Sequence, residues 1–380
     1  MPTPHQQTTP NHAERLQRQS LLTDFGQGSA SKLQNAHAVV LGLGALGSVA
    51  ADLLARAGVG TLTLIDRDIV EHSNLHRQTL YNDNDAASAT PKAIAAAHAL
   101  NAANPTIKTI THTEDFTNRN AERLASLTND SAHPPTVLLD CTDNFPARFL
   151  LNDLAVKHAR PMIYAGAVAT RAAVATILPL PAPAAPTPPW LDQANPHRGH
   201  GPGPCLRCIA GSPPPPGTTE TCDTAGVLGT VSAAAAAFQA TEALKIILAR
   251  FDKLRRHLLA FDPWNTNFNR IDLSPNARDP HCPCCAERAF HFLDAPITTN
   301  PEPLCGRDAV QLPPTGNTNL QAVAERLQKS AKVRLSPAML LIEPHDQTES
   351  IALFADGRAI VRGTDDPARA RAIADRYIGA

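Results

Sequence analysis

The chain has 380 residues, of which 43% are hydrophobic, and its formal net charge is −1. This length suits one large α/β domain with a smaller one, or two medium domains. Because 34 basic residues balance 35 acidic ones, no global field recruits nucleic acid or an anionic membrane surface, and neither is expected as a partner. The opening residues lack an apolar segment, so we expect no signal peptide and a cytoplasmic protein.

The first half of the sequence alternates strand patterns with helix patterns. AHAVVLGLG, TLTLID and TVLLDCTDN (136–144) are apolar runs typical of buried strands, and PMIYAGAVATRAAVATILP (161–179) supplies further strand. ALGSVAADLLARAG, which ends at Gly58, and TPKAIAAAHALNAANP (90–105) have the periodicity of helices. This rhythm predicts a Rossmann-like, doubly wound and mostly parallel α/β sheet.

The second half contains three different patterns. Residues 179–217 are rich in proline, which lacks the backbone donor and the freedom for regular structure, so they are predicted to form an inserted loop. A helix is expected over 227–250, and the polar side chains within it indicate a buried or interface helix, not a membrane span. Strand and helix patterns over 303–380 predict a small C-terminal α+β module.

A glycine-rich turn follows the first predicted strand. Gly42, Gly44 and Gly47 have the G-x-G-x-x-G spacing between a strand and a helix, where glycine permits a tight turn and lets phosphates approach the helix N-terminus. Asp66 ends the next predicted strand, in a position to accept hydrogen bonds from ribose hydroxyls. This pattern predicts a nucleotide site without deciding which nucleotide it holds.

Polar residues further along the chain favour a triphosphate. Asn74, Arg77 and Lys92 place an amide and two cations near the phosphates, more than a diphosphate bridge usually needs, and they suit charge that develops at an α-phosphorus. Asp143 and Asn144 follow a predicted strand, at the edge where an open parallel sheet binds its ligand. A carboxylate at that edge is a suitable ligand for Mg²⁺ beside the phosphates.

The eight cysteines favour metal binding or catalysis over disulfides in a chain expected to be cytoplasmic. Two CxxC pairs, Cys205 with Cys208 and Cys282 with Cys285, predict a closed tetrahedral Zn²⁺ site that would pin the proline-rich loop to the body of the protein. Cys284 lies inside the second pair, so the fourth ligand stays open between Cys284 and Cys285.

Cys222 stands by itself in TTETCDTAGVLGT, after SPPPPGTTE and before a predicted helix. A helix N-terminus stabilises a thiolate, which is the nucleophilic form of cysteine. We therefore predict that Cys222 is a nucleophile, and the sequence leaves open whether it forms a covalent intermediate.

Several motifs resemble one known enzyme family. RLQRQ, GLGALG, LID, SNLHRQ, PK, DCTDN and the paired CxxC motifs occur in the order found in the ThiF/MoeB/HesA adenylyltransferases, the bacterial relatives of ubiquitin-activating enzymes. The resemblance implies an ATP-binding adenylyltransferase domain over 13–290, with the loop 179–217 inserted in it. Ala45 stands where the family often has glycine. Because that contact is made by the backbone, Ala45 is expected to be tolerated in the nucleotide site.

Members of that family use ATP and Mg²⁺ to adenylate the C-terminal Gly-Gly carboxylate of a small ubiquitin-like sulfur carrier, with release of pyrophosphate. The resemblance assigns roles to the nucleotide-site residues: ribose binding to Asp66, phosphate binding to Asn74, Arg77 and Lys92, magnesium binding to Asp143, and a place beside the nucleotide to Asn144. Because the attacking carboxylate is already ionised at neutral pH, no general base is expected, and catalysis is positioning plus charge neutralisation.

The resemblance also implies partners. In homodimeric members an N-terminal arginine reaches the neighbour's site, and the matching residue is Arg18, so we expect a homodimer with Arg18 as a catalytic residue. The cysteine matching Cys222 lies on a crossover loop and serves the later sulfur step in some members. Because the tail has no rhodanese-like cysteine loop, we expect a separate sulfur donor such as a cysteine desulfurase. The tail favours a thiamine-type carrier, while molybdopterin-type and other carriers stay open.

Three alternative functions explain parts of the sequence. A nicotinamide-dependent dehydrogenase accounts for the glycines and Asp66, but not for SNLHRQ, DCTDN or the paired cysteines. A related ATP-dependent enzyme that modifies a tRNA base usually lacks the paired cysteines and carries a basic surface, whereas this chain has the paired cysteines and is nearly neutral. A non-catalytic protein that binds a ubiquitin-like partner would have no need of Arg77, Lys92 and Asp143.

Overall fold

The computed structural model of the protein describes most of the chain in separate segments. These are residues 12–26, 28–128, 136–183, 203–214, 218, 220–274, 277–296, 302–304, 309–336 and 339–379. Much of the predicted loop 179–217 therefore lies outside the described residues.

The helices and strands have the following bounds. The helices are α1 His12–Arg15, α2 Gln17–Ser20, α3 Ser29–Gln34, α4 Gly47–Arg56, α5 Asp83–Ala87, α6 Lys92–Ala103, α7 Ala121–Leu124, α8 Phe145–Lys157, α9 Leu206–Ala210, α10 Cys222–Ala225, α11 Gly229–Ile247, α12 Leu320–Leu327 and α13 Pro367–Tyr377, with 3₁₀ turns at His72–Asn74 and Phe251–Lys253. The strands are β1 His37–Leu41, β2 Thr61–Ile65, β3 Lys108–His112, β4 Val137–Asp140, β5 Met162–Val168, β6 Arg171–Ile177, β7 His257–Asp262, β8 Asn267–Asp272, β9 Glu302–Leu304, β10 Ala309–Leu312, β11 Ala331–Leu335, β12 Met339–Pro344, β13 Ser350–Phe354 and β14 Ala359–Arg362.

The main sheet has eight strands in the order β3-β2-β1-β4-β5-β6-β7-β8. Strands β3, β2, β1, β4 and β5 run parallel, whereas β6, β7 and β8 continue the sheet with antiparallel pairs. The predicted doubly wound α/β fold is confirmed. Its strand order reverses between β1 and β4, and such a switch point opens a crevice at the carboxyl ends of the strands.

Some elements differ from the sequence patterns. The run at 161–179 forms two antiparallel strands, because the chain turns back at Ala169, whose φ is +52°. Helix α8 was not predicted from its pattern, because its polar residues Arg148, Asn152 and Asp153 do not gather on one face and are buried with their apolar neighbours, so no polar stripe marks a helical period. It is instead identified by its start, where the Asn144 side chain accepts a hydrogen bond from the Ala147 N–H.

Helix α11, expected over 227–250, packs against α4, β5 and β6 as a buried element. Its Gln239 is fully buried and donates to the carbonyls of Asp140 and Ile163 at 2.8 Å each. The same amide accepts a hydrogen bond from the Cys141 thiol at 3.1 Å. The polar side chain of Gln239 therefore connects this helix to the sheet. Among the described residues, none of the helices has the length and apolar character needed to span a membrane.

The strands after residue 300 form a second, antiparallel sheet in the order β11-β12-β13-β14-β10-β9; we call residues 302–379 the C-terminal module. Alternate residues of its strands point to opposite faces. One face carries Val310 and Val361 against α12 and α13. The other carries Phe354 and Ile360, which pack on Ile69 of the main sheet's flank.

Candidate functional site

A cavity of about 1710 Å³ opens at the carboxyl ends of β1, β2 and β4. Its lining includes most of the residues predicted for the nucleotide: Gly42, Gly44, Ala45, Asp66, Asn74, Arg77, Lys92, Asp143 and Asn144. Of the predicted nucleotide-binding residues, Gly47 does not belong to that lining among the described residues. The switch point of the sheet thus brings together side chains that are far apart in sequence.

The three glycines of the turn have different structural roles. Gly42 has a φ of +86°, and a Cβ there would lie 2.7 Å from the Cys141 carbonyl oxygen. A Cβ at Gly47 would lie 1.8 Å from the Gly42 oxygen, so only glycine allows this turn to close. At Gly44 the nearest described atom to an added Cβ is Gln78 Nε2, at 3.8 Å. Gly42 and Gly47 therefore shape the turn, while Gly44 leaves its backbone open to the cavity.

Asp66 is held by its own backbone surroundings at the end of β2. Its Oδ2 accepts a hydrogen bond from the Leu43 N–H at 2.6 Å, and its Oδ1 accepts one from the Asp68 N–H at 2.7 Å. Burial raises the pKa of Asp66, and the positive charge of Lys92 opposes that rise. The carboxylate is thus fixed in orientation, as a ribose-binding group requires.

Lys92 begins α6 with its ammonium group almost completely buried. Its Nζ lies 3.1 Å from Asp68 Oδ2, and the side chains are 6% and 17% exposed. A buried cation keeps its charge when a carboxylate compensates it. Asp68 therefore maintains a positive charge at the floor of the cavity.

The SNLHRQ segment forms a compact turn beside this cation. Asn74 is buried within the 3₁₀ turn, and its Nδ2 donates to Ser73 Oγ at 3.3 Å. Arg77 Nη1 donates to the Ser73 carbonyl at 2.9 Å. Two of the three predicted phosphate ligands are therefore positioned by the same short segment.

The DCTDN segment places an exposed carboxylate at the rim of the cavity. Asp143 is exposed, whereas Asp140 is fully buried, with Oδ2 2.9 Å from the Nε of Arg148. The guanidinium of Arg148 also stacks over the ring of Tyr164, 4.9 Å from its centroid. Burial by itself would lower the pKa of Arg148, but the negative charge of Asp140 outweighs that effect, so the pKa is raised. Asn144, beside Asp143, both lines the cavity and caps α8.

The far end of the cavity is formed by β6 and the segment before α11. Arg171 Nη2 lies 2.5 Å from Glu220 Oε2, and Thr221 caps α10 through the Thr224 N–H. Cys222 is the first residue of α10, but its side chain lies outside the described part of the structure. Its role as a nucleophile stays a prediction.

Arg18 lies in α2 with an exposed side chain. Among the described residues, it does not line the cavity of its own chain. This placement is compatible with the predicted action in a neighbouring subunit, which stays a prediction.

The paired cysteines meet in one cluster away from the cavity. The Sγ atoms of Cys205, Cys208, Cys282 and Cys285 all lie within 4.8 Å of one another. The recorded separations are 3.9 Å for Cys205–Cys208, 3.6 Å for Cys205–Cys282 and 3.5 Å for Cys208–Cys285. Thiolates at tetrahedral positions about 2.3 Å from zinc would be about 3.8 Å apart. The donor set and spacing therefore fit a structural zinc ion.

The geometry distinguishes Cys285 from its neighbour. Cys284 donates its thiol proton to Asp153 Oδ1 and accepts a hydrogen bond from Asn152 Nδ2, both at 3.3 Å, so it faces α8 and lies outside the described cysteine cluster. Arg278 Nε donates to the Cys285 sulfur at 3.4 Å. A nearby guanidinium offsets the negative charge that four thiolates bring to a zinc site.

Several residues that line the cavity were not predicted from the sequence. Asp68 had a local signal, since it is a second acid two residues beyond Asp66. Arg148 lies four residues after Asn144 in α8, so its only local signal was its nearness to DCTDN. Arg362, which also lines the cavity, had none, because the C-terminal module reaches the cavity only through tertiary packing.

Comparison with known proteins agrees with this architecture. The family model described as "ThiF family" matches residues 16–284. The sulfur carrier protein ThiS adenylyltransferase of Bacillus subtilis (strain 168) is 34% identical over 368 residues, which are 96% of this chain and 99% of that protein. The sulfur carrier protein adenylyltransferase of Thermus thermophilus is 34% identical over 280 residues, 73% of this chain and 93% of that protein.

A solved structure supports the fold independently. E. coli MccB, crystallised with ATP, superposes with a TM-score of 0.53 over 71% of this chain and 74% of its own, at 20% identity. The family match covers the glycine turn, the predicted phosphate ligands and all the clustered cysteines apart from Cys285, which lies one residue beyond its end. The chain belongs to the ThiF family.

Proposed function

We propose that the protein is an ATP-dependent adenylyltransferase that activates the C-terminal Gly-Gly carboxylate of a ubiquitin-like sulfur carrier. The observation that carries this proposal is a single cavity that combines the glycine turn and Asp66 with the cations Arg77 and Lys92 and the exposed carboxylate of Asp143. The relatives named as sulfur carrier adenylyltransferases support the same reaction.

ATP would lie with its ribose on Asp66 and its phosphates over the glycine turn. Gly44 leaves room for a phosphate at the N-terminus of α4, where free backbone N–H groups favour anions. The phosphate oxygens would then contact Asn74, Arg77 and Lys92. The buried ammonium of Lys92 and the turn that positions Asn74 support this placement.

In the reaction, an oxygen of the carrier's terminal carboxylate attacks the α-phosphorus. The bond from that phosphorus to the bridging oxygen breaks, pyrophosphate leaves with the electron pair, and an acyl-adenylate remains. No proton has to move, because the carboxylate is already ionised, so Arg77 and Lys92 act by neutralising charge that builds up on the phosphates.

Asp143 is the residue that we propose for magnesium. An exposed carboxylate at the cavity rim fits an ion that takes few protein ligands and several oxygens from substrate and water. When bound, magnesium would neutralise the triphosphate and polarise the leaving pyrophosphate.

The remaining assignments are proposals about assembly. Residues 13–290 would form the adenylyltransferase domain and 303–380 a separate module. Two chains would pair so that Arg18 reaches the partner's cavity, while zinc on the four clustered cysteines would hold α9 against the body of the domain. Cys222 would serve the later sulfur step, with sulfur supplied by a separate enzyme such as a cysteine desulfurase.

A thiamine-type carrier is the substrate we favour over a molybdopterin-type one. The match to the ThiS adenylyltransferase extends over 96% of this chain and thus includes the C-terminal module. The Thermus relative, whose name specifies no carrier, matches over only 73% of the chain.

ATP–pyrophosphate exchange tests the proposal. Purified protein is mixed with each ubiquitin-like carrier in turn, with a matched carrier lacking the Gly-Gly end as control. Exchange that depends on one intact carrier is expected and would identify the pathway. ATP binding without exchange by any intact carrier would contradict the proposal and favour the tRNA-modifying or scaffold alternative.

A further inference from the structure

The C-terminal module is in contact with the segment that carries the predicted nucleotide ligands. Ile69 and Ala89 of the main domain share one apolar cluster with Ala309, Phe354 and Ile360 of the module. The two main-domain residues lie on either side of the SNLHRQ turn in sequence, close to Asp66 and Lys92 at the two ends of that stretch. The module therefore packs on the outer side of the nucleotide-binding segment.

Polar contacts strengthen the same interface. Arg67, the residue after Asp66, donates to Gln311 Oε1 of the module at 2.7 Å, and Gln311 Nε2 donates to Asp115 Oδ2 at 2.7 Å. Arg334 Nη1 donates to the Ala87 carbonyl at 3.0 Å. Several directional contacts in addition to apolar packing fix the orientation of the module on the main sheet.

The module also lines the cavity itself. Strand β10 contributes Ala309, and β14 contributes Ile360 and Arg362. Arg362 lies two residues after Ile360, on the face of the strand that is turned to the main domain.

One ion pair connects the module to the predicted phosphate ligands. Arg362 Nη1 lies 2.5 Å from Glu71 Oε1, and the two side chains are 33% and 40% exposed. Glu71 Oε2 accepts a hydrogen bond from Ser73 Oγ at 3.4 Å, and its carbonyl accepts one from the Asn74 N–H at 2.9 Å. Arg77 Nη1 in turn donates to the Ser73 carbonyl. A continuous series of contacts therefore runs from Arg362 to Asn74 and Arg77.

We infer that the C-terminal module completes the ATP site, and that Arg362 is a positioning residue that acts through Glu71 on Asn74 and Arg77. The inference rests on the proposed function for the identity of the nucleotide. Arg362 restrains the turn at 71–77, so the amide and guanidinium are already in place when the triphosphate arrives. Pre-organised ligands lose less conformational entropy on binding, which raises affinity for ATP.

Variants of the full-length protein test this role by calorimetric titration with ATP and magnesium, without any carrier. We expect Arg362→Ala to weaken ATP binding about fivefold, the effect of losing a half-exposed ion pair. Glu71→Ala should cause the same loss, and the double variant should lose no more than either single one. Arg376→Ala, which removes another exposed ion pair of the module, should bind ATP like the wild type.

Several results would overturn the inference. ATP affinity of Arg362→Ala equal to that of the wild type would contradict it. Losses that multiply in the double variant would contradict it too, because they would show that the two residues act separately. ATP affinity unchanged or increased by Glu71→Ala, with a loss for Arg362→Ala, would make Arg362 a direct phosphate ligand instead.

Exchange assays separate a local effect from general loosening. In Arg362→Ala, the inference requires the KM for ATP to rise above the wild-type value while the KM for the carrier stays unchanged. Equal increases in the two KM values would contradict it. If wild-type protein binds ATP but exchanges pyrophosphate with no carrier, the proposed function fails while the titrations still report on Arg362.

Discussion

The cavity and the cysteine cluster are two sites that spacing patterns predict equally well, yet they are built in opposite ways. The cavity gathers exposed or half-exposed polar groups such as Asp143 and Arg77 around open space. In the cluster, four sulfur atoms point at one another, and three of the cysteines are buried. Open polar groups can act on a substrate, whereas a closed ligand set can only hold the chain together. Substitutions in the two sites should therefore affect different measurements.

The largest effect on activity is expected at the cavity rim. Asp143→Ala should reduce ATP–pyrophosphate exchange by about 10²–10³-fold, the range for removal of one group that stabilises transition-state charge. Its thermal unfolding should match the wild type, because the side chain is exposed. Asp83→Ala, a change at another exposed acid, in α5, is the matched control. Retained exchange in Asp143→Ala would contradict the magnesium assignment.

The largest effect on stability is expected in the cysteine cluster. Cys205→Ser should lower the free energy of unfolding by about 4 kcal/mol or more, because loss of a structural metal is one of the few changes with so large an effect. Zinc measured by elemental mass spectrometry should fall from one ion per chain to none. Cys284→Ser is the matched control, because the Cys284 thiol donates a hydrogen bond to Asp153 and lies outside the cysteine cluster. Full zinc content in Cys205→Ser, or zinc loss in Cys284→Ser, would refute the assignment.

A smaller effect is expected from pH at Asp66. Its pKa is raised above the ordinary 3.8, chiefly by burial, so protonation begins at a higher pH than for an exposed aspartate. Because ribose binding needs the carboxylate, ATP affinity should fall as pH drops through that raised pKa, by about tenfold per pH unit below it. Titrations with ATP across acidic pH should show that the wild type loses more ATP affinity than the Asp66→Asn variant does. Parallel profiles for the two proteins would exclude Asp66 as the titrating group.

The smallest effect on adenylation is expected at Cys222. Cys222→Ala should keep exchange within about twofold of wild type, since adenylation forms no bond to sulfur. Formation of the carrier thiocarboxylate, followed by mass spectrometry with a cysteine desulfurase as sulfur donor, should be impaired. Strongly reduced exchange would place Cys222 in the nucleotide site, contrary to the prediction.

Local sequence determined the elements that carry their own signals. The glycine spacing, the acid at the end of β2 and the paired CxxC motifs each depend on short-range geometry, so the sequence alone is enough to predict their residues. Gly42 and Gly47 could be predicted because no other residue fits their turn. Strands β13 and β14 likewise flank an Asp-Gly pair at 356–357, which is a local signal for a hairpin turn.

Only the tertiary structure decided which groups share a site. Helix α8 does not gather its polar residues on one face, and the edge strands β3 and β9 are too short or too mixed to show a pattern. The choice of Cys285 over Cys284 depends on which thiol α8 engages. The contact of Arg362 with Glu71 joins residues nearly three hundred positions apart because two sheets pack face against flank. Such pairings arise from the packing of whole elements, and local sequence carries no record of them.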